Sequence, residues 1–94
     1  MTVVWSARAV AHLEALRAWI ARDRPRAAAD VAATLIAAVE LLGEHPNAGR
    51  PGRVAGTREL VVPGTPFVIP YRVRGELVEI VAVFHGRQRW PESR

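Results

Sequence analysis

Hydrophobic and polar positions change rhythm twice along this chain. The run Val3-Val4-Trp5 is β-prone, and Ser6 after it suits a helix N-cap, because its hydroxyl can accept from a free backbone amide of the first turn. Val10, Leu13, Leu16 and Ile20 then recur at three or four residues, which predicts one apolar face of a helix running to about Arg22. Pro25 suits a first helical position, where its missing N–H costs nothing. Ala28, Val31, Leu35, Ala38, Val39 and Leu42 continue a second apolar stripe, and Gly43 marks its end. So short a link predicts an antiparallel helix hairpin over about residues 6–43. Trp5 and Trp19 read as core residues of that layer.

From Glu44 to Gly56 the periodicity disappears, and the Gly and Pro residues there disfavour both helix and strand. A link of this length in a small domain is usually functional or packed down by its own side chains. Alternation then returns, predicting strands at Thr57–Val62, Pro66–Arg74 and Leu77–His85, a β-meander over about 57–85. Gly75-Glu76 has the form of a tight hairpin turn. It sets a register in which Arg72 faces Glu79, Tyr71 faces Ile80 and Phe67 faces Phe84. Alternation then assigns Phe67, Ile69, Tyr71, Val73, Val78, Ile80, Ala82 and Phe84 to the core side. Arg72, Arg74, Glu79 and His85 fall on the outer side with Val68, Pro70, Val81 and Val83. Pro70 cannot donate to a ladder, so a bulge or open pairing is expected beside it. The expected fold is a single α+β domain over 1–94, with the helix hairpin on one face of a mainly antiparallel sheet and a basic tail at 86–94.

Composition adds a charge asymmetry. All 13 basic side chains are arginine. Residues 1–49 balance five arginines against five carboxylates, whereas residues 50–94 carry eight against four. A permanently charged, forked donor suits carboxylate or phosphate partners, and the lack of lysine removes one candidate general base. Absence of cysteine excludes disulfides and thiolate metal sites, and the three scattered histidines do not make a metal centre. No glycine loop leads into a helix in the manner of a phosphate cradle, so no cofactor is expected. Without a long apolar run, a cytoplasmic protein with no membrane partner is expected. The candidate target- or antitoxin-binding residues are Arg58, Arg72, Arg74, His85, Arg87, Arg89 and Trp90, on or just beyond an outer face that also carries Glu59 and Glu79. Trp90 is a candidate interface anchor or a residue that docks back on the sheet.

Three segments, taken together, resemble the RelE/ParE toxin superfamily. They are Gly49-Arg50-Pro51-Gly52-Arg53-Val54 with Gly56-Thr57-Arg58-Glu59-Leu60-Val61-Val62, then Pro70-Tyr71-Arg72-Val73, and finally Val83-Phe84-His85-Gly86-Arg87. The resemblance implies a β-α-α-β-β-β fold and a cognate antitoxin, often acidic where it meets the toxin. It leaves three functions open. A ParE-like member inhibits DNA gyrase and has no catalytic residues. A RelE-like member cuts mRNA on the ribosome, and the matching positions here would be Glu59 as base, Arg72 as phosphorane stabiliser and His85 as acid. A third possibility is a non-toxic antitoxin-binding module. The absence of lysine, of any tyrosine after Tyr71 and of a long C-terminal helix favours the ParE-like reading.

Overall fold

The computed structural model describes residues 1–88 and 90. Its elements are β1 (Thr2–Trp5), α1 (Ala7–Ala21), α2 (Pro25–Leu41), β2 (Arg50–Pro51), β3 (Arg58–Val61), β4 (Phe67–Arg74), β5 (Leu77–Ile80) and β6 (Phe84–His85). The strands lie in the order β1-β5-β4-β3-β2, with β6 paired to the far end of β4. Among the described residues only β1 runs parallel to its neighbour, β5, which makes the sheet mixed. Two helices on such a sheet give the expected α+β architecture.

Ser6 joins the first strand to the first helix. Its Oγ accepts from the Ala9 N–H at 3.0 Å and donates to the Val81 carbonyl at 3.0 Å, so one hydroxyl caps α1 and ties it to the sheet. Pro25 opens α2 as its spacing predicts. The core lies between Leu35, Val39 and Leu42 on the helical side and Val62, Ile69, Tyr71, Val78 and Ile80 on the sheet. Trp5 and Leu16 pack at its margin. Trp19 does not belong to it: the residue is 69% exposed, and the Arg22 guanidinium lies 5.3 Å from its ring centre. Roughly 100° of rotation per residue places Trp19 about a quarter-turn off the Leu13–Leu16–Ile20 stripe, so proximity in sequence to the apolar face did not bring it inside.

The Gly75 turn, with φ of 56°, produces the expected pairing of Arg72 with Glu79 and Tyr71 with Ile80. That register does not persist to Phe84. Val81 donates to the Pro70 carbonyl at 2.9 Å, but Pro70 has no N–H to return. Residues 81–83 leave the strand conformation, the Val83 N–H turns to His12 Nδ1 at 3.2 Å, and pairing resumes one residue later. Phe67 therefore faces His85 and Val68 faces Phe84, in place of the Phe67–Phe84 pair. A slip of one residue exchanges the faces of everything beyond it. Val83 enters the core cluster, Phe84 joins the side of Val68, and His85 moves to the helix side with Phe67. Val73, expected in the core, is exposed near the hairpin tip, and Val68 and Pro70 are buried on the face expected to be open.

The irregular link is held down by its own contacts, and its middle forms a short edge strand where none was expected. Arg50 pairs with Glu59 and Pro51 with Arg58; proline is tolerated there because only one side of an edge strand must donate. The buried Tyr71 hydroxyl donates to the Pro46 carbonyl at 2.7 Å and accepts from the Gly49 N–H at 2.8 Å. A Cβ on Gly49 would lie 2.7 Å from Tyr71 Cε1 and 2.9 Å from the Glu59 carbonyl oxygen. Gly49→Ala should therefore cost about 1–3 kcal/mol through overpacking, read as a lower urea midpoint. An unchanged midpoint would contradict this packing.

Candidate functional site on the outer face of the sheet

The outer face is assembled from all the strands of the sheet and the link before β3. Glu59 on β3 projects to this side opposite Pro70, and Arg50 pairs with it from β2. The Glu59 side chain is 1% exposed, the one buried charge among the described residues. Its Oε1 accepts from Arg50 Nη2 at 3.1 Å and lies 3.5 Å from Arg53 Nε, while Oε2 accepts from the Arg53 backbone N–H at 3.0 Å. The carboxylate is thus fully engaged. Removing either guanidinium would leave a buried charge poorly compensated.

Arg72 Nε donates to Glu79 Oε1 at 2.8 Å across the β4–β5 pair. Both side chains are partly exposed, so this pair contributes about 0.2–1 kcal/mol, and the Arg72 side chain remains 40% open to solvent. Arg74 follows, exposed at the end of β4. Four guanidinium groups, on Arg50, Arg53, Arg72 and Arg74, stand against the carboxylates of Glu59 and Glu79. Exposed Val4, Val61 and Leu77 lie on the same side by register. At the other end Trp90 stacks on Phe84, with ring centres 5.4 Å apart and planes at 18°. The wall is basic, shallow and partly apolar, a character suited to binding a partner's surface.

Several expected members lie elsewhere. Arg58 shares the side of Tyr71 and donates to the Gly49 carbonyl at 2.7 Å, which makes it a clamp on the link. His85 lies on the helix side, edge-on to Phe67 with ring centres 5.8 Å apart, and its Nδ1 accepts from the Arg87 N–H at 3.1 Å. It opens onto a cleft lined also by His12, Leu16, Trp19 and Phe67, and Phe84 and Trp90 border this cleft as well as the outer wall. Arg87 is exposed in the turn that follows, and Arg89 lies outside the described residues. The triad Glu59, Arg72 and His85 is therefore divided between two faces. Sequence reasoning missed Arg50 and Arg53 as wall residues; the signal was their place in a Gly- and Pro-rich link too long to be idle. Among the described residues no cluster of three or more His, Cys, Asp or Glu could hold a metal ion. No helix there is long and apolar enough to cross a membrane.

Comparison with known proteins agrees with this architecture. Residues 3–90 match the family described as ParE toxin of type II toxin-antitoxin system, parDE. Protein Y4kP of Sinorhizobium fredii, named as a toxin, is 47% identical over 88 residues, covering 94% of this chain and 91% of its own. Toxin RelE2 of Caulobacter vibrioides is 45% identical over 84 residues, covering 89% and 93% respectively. Among solved structures, a chain of the chromosomal ParDE TA system from P. aeruginosa superposes with a TM-score of 0.83 at 28% identity, covering 90% of this chain and 95% of that one. The chain therefore belongs to the ParE family of toxins from type II toxin–antitoxin systems, whose partner is a cognate antitoxin.

Proposed function

We propose that this toxin inhibits DNA gyrase by binding it through the arginine wall and Trp90, acts in the cytoplasm, and carries out no covalent step of its own. The observation that carries this reading is the state of Glu59. A general base must reach a substrate hydroxyl, directly or through one water. Glu59 is 1% exposed, and both of its oxygens are already engaged by Arg50 and Arg53. His85 is on the other side of the sheet from Arg72, so the acid and the phosphorane stabiliser of a ribonuclease would not meet one phosphate. A binding surface needs none of those alignments. The cleft beside His85, with exposed Trp19 at its rim, is the surface we assign to the antitoxin.

Relaxed plasmid incubated with gyrase, ATP and purified toxin is the deciding experiment. Cleaved or unsupercoiled DNA is expected, and added antitoxin should restore supercoiling. Normal supercoiling together with mRNA cuts on ribosomes would replace this reading with a RelE-like endonuclease, in line with the name of the Caulobacter relative. Neither activity would leave an antitoxin-binding module. His85→Ala should keep toxicity within about twofold, whereas loss of an acid–base group costs a ribonuclease about 100-fold or more. A folded His85→Ala protein without toxicity would count against gyrase binding by the outer face.

A further inference from the structure

Arg53 links the irregular loop to the C-terminal segment. Its backbone N–H and Nε both approach the Glu59 carboxylate, at 3.0 Å and 3.5 Å. Its guanidinium carbon sits 5.3 Å from the centre of the Phe84 ring, and Nη1 donates to the Trp90 carbonyl at 3.5 Å. Trp90 stacks on that same Phe84 ring. A continuous chain of contacts thus runs from the middle of β3, through one arginine, to the last aromatic residue of the wall.

Stability alone is a poor reason for a carboxylate at this place. Taking an acid out of water is costly, and well-packed apolar residues often serve a fold as well as a buried ion pair. What a carboxylate adds is direction. Arginine has a long, freely rotating side chain, and Arg53 is 41% exposed. Holding its backbone N–H and Nε together restricts where the guanidinium can point, and here it points over Phe84. The Trp90 indole N–H is buried and has no partner among the described residues. Stacking on Phe84 and the contact of Arg53 with the Trp90 carbonyl hold the ring in this seat.

We infer that Glu59 is a positioning residue for the target-binding surface: by fixing Arg53 it seats Trp90 against Phe84 and presets the end of the arginine wall. The functional half of this inference rests on the gyrase-binding reading, and the seating of Trp90 does not.

Glu59→Gln tests both halves. The variant should melt cooperatively and keep the wild-type far-UV circular dichroism spectrum. In a ¹⁵N–¹H spectrum the Trp90 indole resonance, identified by its loss in Trp90→Phe, should move to the position of a solvent-exposed indole. Gyrase inhibition should fall about tenfold, the scale of one well-placed interface contact. An unmoved Trp90 indole overturns the inference, and so does full inhibition by a variant whose Trp90 has been released. Should Glu59→Gln fail to fold, Arg53→Lys keeps a cation beside Glu59 while removing the guanidinium over Phe84, and it is read by the same two measurements. If wild-type toxin does not inhibit gyrase, the functional reading fails, and the indole shift alone upholds or overturns the seating.

Discussion

Tyr71→Ala should leave the toxin largely unfolded unless its antitoxin is present. Tyr71 is fully buried at the centre of β4, packed among Leu35, Ile69 and Ile80 in one core cluster. Truncating a buried aromatic to alanine costs about 3–5 kcal/mol through lost burial and the cavity left behind. The substitution also strands the Gly49 N–H and the Pro46 carbonyl, which the hydroxyl now satisfies. Unpaired buried polar groups add about 1–3 kcal/mol to the cost. A domain of this size has roughly 5–14 kcal/mol of stability in total, and α1 contributes only Ala9 as a fully buried residue. Urea unfolding followed by circular dichroism would measure the loss. Tyr71→Phe separates the two effects: it keeps the ring and should lose only the hydrogen-bond part. If Tyr71→Phe proved as stable as wild type, the link over residues 44–53 would not be held by that hydroxyl.

The second large effect concerns binding. Reversing both Arg72 and Arg74 to glutamate should weaken gyrase inhibition about 100-fold, because like charges set against a complementary surface cost several kcal/mol. The fold should tolerate the change. Arg74 is exposed, and placing a carboxylate opposite Glu79 costs only about 0.2–1 kcal/mol. The control is the same change of net charge on the helical side, with Arg17→Glu and Arg26→Glu at two exposed positions. If both double variants lose inhibition equally, net charge governs the encounter and the wall has no special role. Loss confined to the Arg72/Arg74 variant, with antitoxin binding intact, supports the wall as the contact surface.

The helix hairpin, its Ser6 cap, the Pro25 start and the Gly75-Glu76 register were all legible in the order of residues, because each depends on neighbours within a few positions. Trp19 misled because an aromatic near an apolar stripe invites burial, while the helix rotation carries it into solvent. The placement of His85 failed for a different reason. It extrapolated a correct register across Pro70, and the missing N–H there let the opposing strand gain one residue at 81–83. That Arg58 lies on the side of Tyr71 was not legible, because its partner, the Gly49 carbonyl, belongs to a link with no periodicity to read.

What the chain by itself determined were the local decisions: where helices begin, which turn is tight, and that arginine crowds its second half. Tertiary structure alone decided which arginines share a wall, that Glu59 is sealed beneath two of them, and that His85 stands across the sheet from Arg72. Periodicity assigns a side chain to a face only while the ladder is unbroken. Where a proline interrupts it and a loop folds back over the edge, the face is set by hydrogen bonds between residues far apart in sequence.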